Sequence, residues 1–343
     1  MKKHQILINK REIKAAGIVV PAANVLKHFI WGGMVEFKHE SVLLEECING
    51  LNIKKDGIYV DGTLGGAGHS KRILENLKNT GKLIGIDRDE EALIAAKQNL
   101  QEFKNVEYVH GNHDDIKQIL ENLKIDKVDG ILLDLGVSSY QLDERNRGFS
   151  YLGDNLLDMR MDKTQKITAK DIVNTYSEDD LANIIYKYGE EKFSRKIARN
   201  ICEYRKKKEI ETTKELVEII EKSIPGFAKK NGHPAKKTFQ AIRIEVNNEI
   251  EPLHKTVLDC IDCLNVRGRL CIITFHSLED RAVKNAYKEA QGICTCPKDL
   301  PYCICGCKEK GRIINKKPIV ADEFEQQANP RAKSAKLRIF EKV

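Results

Sequence analysis

The chain is poor in aromatic residues, which make up 6% of its 343 residues, and it holds one tryptophan and eight prolines. It lacks an apolar run of membrane length. The longest, Ala15 to Ala23, is short and interrupted by Pro21, whereas a span needs about 20 apolar residues. The N-terminal stretch is not expected to act as a secretory leader, because Lys10, Arg11, Glu12 and Lys14 break the apolar core such a segment requires. No repeat of fixed period runs along the chain. The composition excludes a collagen-like repeat and a disordered tail protein, and ten cysteines in this length do not make a disulfide-dense secreted module. The expected compartment is the cytoplasm, where thiols stay reduced.

What is present fits a globular protein. Hydrophobic residues at 41% suffice for a core, charged residues make up 32%, and the length suits one large domain or two ordinary ones. The formal charge of +7 is unevenly spread. Residues 1–33 hold six bases and one acid, while residues 163–245 hold 19 bases and 13 acids. A basic segment inside a near-neutral remainder points to a polyanion partner, with a solvated helical surface as the alternative. The first 33 residues show no clear period and end in Trp31-Gly32-Gly33-Met34. Codons for Trp-Gly-Gly are rich in G and can overlap a ribosome-binding sequence. The expectation is a native start at Met34 and a leader of translated flank; the alternative is a basic arm for RNA.

From Met34 the pattern alternates. A helix is expected over Glu40 to Leu51, then a strand at Ile58 to Asp61 and a glycine-rich turn, Gly62-Thr63-Leu64-Gly65-Gly66-Ala67-Gly68-His69-Ser70. A helix with Ile73, Leu74 and Leu77 follows. Leu83 to Asp87, Val106 to Val109 and Val128 to Asp134 read as strands, with a helix from about Asp89 between the first two. Such alternation implies an α/β fold with a parallel sheet and right-handed crossovers. After Gln141 the rhythm changes. Thr168 with Asp171, Ser177 with Asp180 and Thr212 with Glu215 are three helix starts. Leu181, Ile184, Ile185 and Tyr188 form a helical stripe that Phe193, Ile197, Ile201 and Tyr204 continue. This reads as a helical insertion with a loop at Pro225 to Lys237. Val246, Ile250, Leu253, Val257, Ile261 and Leu264 are then expected on one helix face, with strands at Gly268 to Phe275 and Ala335 to Glu341.

The glycine turn between a strand and a helix suits a ligand that approaches the backbone closely, and its alternative is a plain tight turn. Asp87 ends the next strand, about 20 residues on, where an acid accepts the hydroxyls of a ribose. Helix capping is the other reading of Asp87, although Asp89 is better placed for it. A dinucleotide normally needs Gly-x-Gly-x-x-Gly, and glycines at 62, 65, 66 and 68 do not match. S-adenosylmethionine has no phosphate, and acid-rich strand ends suit its sulfonium, so the methyl donor is favoured. Asp134-Leu135-Gly136-Val137-Ser138-Ser139 lies at the same carboxyl edge, where Asp134 accepts from an adenine or a substrate amine, or merely ends a turn. Phe275-His276-Ser277 shares that edge, and a lone histidine there is more often packed or capping than catalytic.

Several long stretches together resemble the ribosomal RNA small subunit methyltransferase H family. They are His39 to Leu44, Asp61 to Ser70, Ile86 to Asp89, Leu132 to Leu142, Arg147 to Ser150, Leu157 to Asp162, Lys237 to Ile250, Phe275 to Lys284 and Asn329 to Arg338. They span nearly everything from Met34 on. The resemblance implies a Rossmann-like class I methyltransferase sheet with an inserted helical domain, and S-adenosylmethionine-dependent methylation of the N4 amine of a cytidine in small-subunit (16S) rRNA. The implied parts are a leader (1–33), a first methyltransferase part (34–141), an inserted substrate-recognition domain (142–245) and a second methyltransferase part (246–343). Carried over by position, the cofactor contacts fall on Ala67, Gly68, His69, Asp87, His113, Asp134 and Gln141. The family tends to have Phe where His113 stands, and Arg where Lys333 keeps the charge without the bidentate fork. The Asp-Pro-Pro-Tyr type motif of DNA amino-methyltransferases is absent.

The N4 amine is a poor nucleophile, so it needs an N–H acceptor, in-line placement and extrusion of the base from its stack. Asp134 and the Ser138-Ser139 turn are the nearest candidates to shape that pocket. Lys192, Arg195, Lys196, Arg199 and Arg205 to Lys208 suit rRNA phosphates, in free rRNA or an assembled small ribosomal subunit. Cys294, Cys296, Cys303, Cys305 and Cys307 suggest a structural zinc or, given their unusual spacing, a loop of free or redox-sensitive thiols. Cys260 and Cys263 read as packing residues. Two other functions stay open: a dinucleotide oxidoreductase, and a non-catalytic RNA-binding or assembly factor on the same fold.

Overall fold

Short apolar and β-branched runs make the strands: β1 (Ile58–Asp61), β2 (Lys82–Asp87), β3 (Val106–His110), β4 (Val128–Asp134), β5 (Leu264–Thr274), β6 (Gly311–Ile313) and β7 (Lys336–Lys342). The structure, a computed structural model, describes residues 41–138, 147–226, 232–292, 296, 300, 302 and 308–343. The leader, Met34, Glu40, Ser139, Gln141 and the cysteines at 294, 303, 305 and 307 lie outside the described residues. The seven strands form one sheet in the order β3-β2-β1-β4-β5-β7-β6. β1 to β5 pair in parallel, and β7 is antiparallel to both β5 and β6. The expected parallel sheet is therefore mixed at one side. β6 brings the chain back to the carboxyl edge, so β7 runs down between β5 and β6.

Helices α1 (Leu44–Leu51), α2 (Gly68–Asn76), α3 (Glu90–Asn99) and α4 (Ile116–Asn122) alternate with the first strands. Successive side chains of a strand point to opposite faces, and the core follows. Ile131 and Leu133 join Val60, Ile84 and Ile272 on one face, whereas Leu132 joins Tyr59, Leu83 and Ile273 on the other. Each such fully buried side chain contributes about 1.5–3 kcal/mol relative to exposure.

Between β4 and β5 the chain forms α5 (Ala169–Thr175), α6 (Glu178–Gly189), α7 (Ser194–Arg205), α8 (Thr213–Ser223) and α9 (Lys236–Asn247). Thr168 and Thr212 close capping boxes with Asp171 and Glu215, and the Ser177 side chain accepts from the Asp180 N–H. The stripe Leu181, Ile184, Ile185, Tyr188, Ile197 and Ile201 is buried in a core that these helices share. Three elements depart from the sequence reading. The first helix begins at Leu44, because Leu43 stands in the left-handed region at φ 53°. The loop expected to run to Lys237 stops at the first residue of α9, Lys236. The face from Val246 to Leu264 is not one helix. Asn248 ends α9 in the left-handed region at φ 50°, Pro252 precedes α10 (Leu253–Asp262), and Leu264 already opens β5. The last helices are α11 (Ser277–Ala290) and α12 (Glu323–Ala328). Among the described residues no helix is long and apolar enough to cross a membrane.

Candidate active site

The strand order reverses direction at β1: the chain moves outward through β2 and β3, then returns to β4 on the other side. In open α/β sheets a ligand crevice lies at such a switch point, outside the carboxyl ends of the strands. Here the adjacent strands β2, β1 and β4 end in Asp87, Asp61 and Asp134. Strand pairing therefore brings together three carboxyls that are far apart in sequence.

The turn after β1 shapes the crevice. Gly62 tolerates no Cβ, which would lie 2.4 Å from Leu133 Cδ2 and 3.1 Å from the Cβ of His113. Gly65 is left-handed at φ 48°, and a Cβ on Gly66 would meet nothing within 4 Å. The turn thus keeps open space beside its backbone. Its position is fixed by the acids: the Gly65 N–H donates to Asp87 Oδ2 at 2.8 Å and the Thr63 N–H to Asp61 Oδ1 at 3.1 Å. The Asp134 N–H donates to Thr63 Oγ1 at 2.6 Å.

The three carboxyls are held differently. Asp61 is buried and accepts from Ser70 Oγ at 2.7 Å; burial pushes its carboxyl up, against these hydrogen bonds. Asp87 accepts from the Asp89 N–H at 2.8 Å as well as from Gly65, yet burial pushes it up to about 6. Asp134 keeps 28% of its side chain exposed, but its Oδ1 is buried with no hydrogen-bond partner among the described residues. Burial, with the nearby charges of Asp61 and Glu279, pushes Asp134 up to about 8. A carboxyl in this state is protonated at neutral pH and ionises when a cation arrives.

The remaining candidate residues lie around this edge. Ala67 is left-handed at φ 63° and leads into α2, which Gly68 and His69 open. The His69 ring is buried, with Nε2 3.0 Å from the Val42 carbonyl and Nδ1 3.9 Å from Asp134 Oδ2. His113 sits against Gly62, and burial pushes its imidazole down. The Ser138 Cβ comes within 3.9 Å of where a Gly65 Cβ would stand, so the turn after β4 folds back on the glycine loop. Asp89 is the cap of α3, its side chain accepting from the Glu91 N–H. His276 caps α11, with Nε2 3.0 Å from Glu279 Oε1. Cys260 and Cys263 are buried packing residues.

Sequence reasoning passed over Asp61 and Glu279 as partners of Asp134. The available signal was that each strand next to the glycine turn ends in an acid. Among the described residues, the only cluster with metal-ligand spacing is Glu249, His276 and Glu279. The Arg243 guanidinium already occupies both Glu249 oxygens, at 2.9 and 2.8 Å, and so takes a cation's place. Of the zinc candidates only Cys296 is described, and it is half-buried and free.

A basic face lies next to this edge. Lys192, just before α7, and Arg195, Lys196 and Arg199 on it are exposed. Glu190, just before them, accepts from Ser277 Oγ at 2.9 Å and from Arg281 at 3.0 Å, which joins the end of α6 to the helix that follows β5. Arg205 is used structurally, donating to the carbonyls of Val173 and Tyr176.

The chain is similar to known proteins over almost its whole length. The profile of the MraW methylase family matches residues 36–343. Ribosomal RNA small subunit methyltransferase H of Clostridium botulinum strain Kyoto is 58% identical over 309 residues, covering 90% of this chain and 100% of the relative. The protein of the same name from Clostridium botulinum strain Loch Maree has the same identity and coverage. That of Lachnospira eligens is 56% identical over 314 residues, covering 91% of this chain and 100% of the relative. The chain belongs to the MraW methylase family.

Proposed function

We propose that this protein transfers a methyl group from S-adenosylmethionine to the N4 amine of a cytidine in 16S ribosomal RNA. The observation that carries the reading is the half-buried Asp134 carboxyl, beside two other acids and with one buried oxygen unpartnered among the described residues, on the edge of an open glycine turn. A buried polar atom without a partner costs free energy unless a ligand completes it. A cationic ligand with hydroxyl and amino groups fits this edge. A pyrophosphate fits it less well, because its charge would meet the Asp87 carboxylate, whose value of about 6 leaves it ionised at neutral pH.

When bound, S-adenosylmethionine supplies a methyl on a positively charged sulfur. In our reading Asp87 accepts the ribose hydroxyls, Ala67, Gly68 and His69 flank the amino-acid part, and His113 lies by the adenine. Gln141, assigned by resemblance, completes the set. Asp134 ionises in the field of the cation and accepts an N–H of the cytosine amine, holding its nitrogen in line. The nitrogen gains the methyl and loses a proton, and Asp134, whose carboxyl in the free protein prefers to be protonated, takes that proton up. Burial sets that preference, and the charges of Asp61 and Glu279 add to it.

The helices of residues 142–245 form the substrate-recognition part in this reading, inserted between methyltransferase parts 34–141 and 246–343. The exposed bases of α7 neutralise rRNA phosphates and lead toward the edge that Glu190 and Ser277 join. The substrate is small-subunit rRNA, free or within the assembled subunit, in the cytoplasm. Calorimetry with S-adenosylmethionine and with NAD tests the cofactor assignment. The reading expects binding of the first alone, lost in Asp87→Ala; binding of NAD instead would overturn it.

A further inference from the structure

Arg147 is 3% exposed, so water does not share its charge. Its Nη1 donates to Glu91 Oε2 at 2.8 Å, and its Nη2 lies 3.0 Å from Asp89 Oδ2. The same Nη2 donates to the carbonyls of Arg160 and Met161, at 2.9 and 3.0 Å. The guanidinium thus ties the stretch that leads into the helical insertion to the start of α3.

That start of α3 is the turn that carries Asp87. The Asp89 N–H donates to Asp87 Oδ1 at 2.8 Å, and Asp89 Oδ1 accepts from the Glu91 N–H at 3.1 Å. Arg147 is therefore one residue removed from the Asp87 carboxyl. A second tie is parallel to it: Arg88 Nη1 donates to the Asn247 carbonyl at 3.1 Å, and the buried Asn247 side chain accepts from the Met161 N–H at 2.8 Å. Lys163 Nζ reaches Glu91 Oε1 at 2.6 Å from the insertion side. The turn at 87–91 is clamped to the insertion through Arg88, Asp89 and Glu91.

A buried ion pair is a poor way to stabilise a fold, because desolvation offsets the attraction, but its directional bonds fix geometry. A guanidinium with four acceptors around it permits one position of Asp89, and hence one aim of Asp87. We propose that Arg147 is a positioning residue for the methyl donor: anchored at the entry to the insertion, it holds the turn that aims Asp87 at the ribose. This rests on the reading of Asp87 as the ribose acceptor.

The test uses the full chain and compares Arg147→Gln, Arg147→Lys and Asp87→Ala by calorimetry and by initial rates with small subunits. Arg147→Gln is expected to raise the Kd and KM for S-adenosylmethionine about tenfold, the order expected when a binding group is mis-aimed by a fraction of an ångström. The kcat at saturating cofactor and the KM for the subunit stay within about twofold of wild type, because the reacting groups are untouched. Arg147→Lys recovers part of the affinity, since an ammonium reaches one of the two carboxylates. A residue that only supports the fold would lower Tm and the active fraction while the remaining protein keeps its Kd, and that result overturns the proposal. If Arg147→Gln does not fold, the pair Glu91→Gln and Lys163→Ala loosens the same turn from its exposed side. It is expected to raise the cofactor Kd about threefold, a proportionally smaller mis-aiming, and an unchanged Kd overturns the proposal. Should Asp87→Ala bind normally, the ribose reading itself fails; should it lose binding while the Arg147 variants do not, only the role of Arg147 fails.

Discussion

Helices α5 to α9 and the carboxyl edge of β1, β2 and β4 treat their polar groups in opposite ways. In the helices most groups are satisfied by nearby partners, the buried Thr238 hydroxyl being an exception among the described residues. Thr168, Ser177 and Thr212 cap helix starts, Asn174 bonds both the N–H and the carbonyl of Ile210, and Arg205 takes two free carbonyls. At the sheet edge three carboxyls converge, Asp61 buried and Asp87 and Asp134 half-buried, each pushed up from the ordinary carboxylate range, and one oxygen of Asp134 has no partner among the described residues. The first region is arranged for stability. The second sacrifices some stability to keep a charge-hungry crevice, a pattern expected where binding or catalysis occurs.

The largest expected effect comes from removing that tension. Asp134→Asn keeps the shape and drops the ionisable group, and should lower kcat by roughly a hundred- to ten-thousandfold, the span of a lost proton acceptor. The same variant should raise the Tm at pH 8 to 9, where wild type must ionise a carboxyl whose folded value is about 8. A fall in Tm there would contradict the assignment of the strain. In the insertion the order reverses. Ile185→Ala opens a cavity in the helical core and should cost about 2–5 kcal/mol of stability in a denaturant titration, with the cofactor Kd of the folded protein unchanged.

A smaller effect separates binding from folding by pH. Asp87 has a folded value of about 6 against an ordinary 3.8, so the folded state holds a proton the unfolded chain has released. Its contribution to stability is present below about pH 4 and is lost as the pH rises through 6. Cofactor affinity depends on the carboxylate and should move the other way, weakening about tenfold for each unit below pH 6. Calorimetric titrations from pH 5 to pH 8 check the affinity, and denaturant titrations from pH 4 to pH 7 check the stability. The smallest effect is Thr212→Ala, which breaks one capping box and should cost about 1 kcal/mol by denaturant titration without altering the methylation rate.

What was legible in the sequence divides along the same line. The three capping pairs and the stripe from Leu181 to Ile201 are local patterns, and the insertion could be read from them. Strands β1 to β4 were equally plain, because each is a short apolar run between breakers. The break at Asn248 was not, because an asparagine in the left-handed region interrupts a periodicity that otherwise looks continuous. β6, with three residues, is too short to signal itself. At the site, Asp87 and Asp134 stood out beside the glycine turn. The convergence of Asp61 and Glu279 on Asp134 depends on strand order and on α11 packing, which no spacing along the chain encodes. Arg147 was visible only within a stretch shared with a family, since its partners lie more than fifty residues away at Asp89 and Glu91.

The most direct test of the central claim is methyl transfer. Small ribosomal subunits from a strain lacking the gene are incubated with labelled S-adenosylmethionine and either wild-type protein or Asp87→Ala, and the rRNA is digested to nucleosides. Label in N4-methylcytidine with wild type, and its loss with Asp87→Ala, is the predicted result. Label in another nucleoside, or none from a wild-type protein that binds the cofactor, would contradict it.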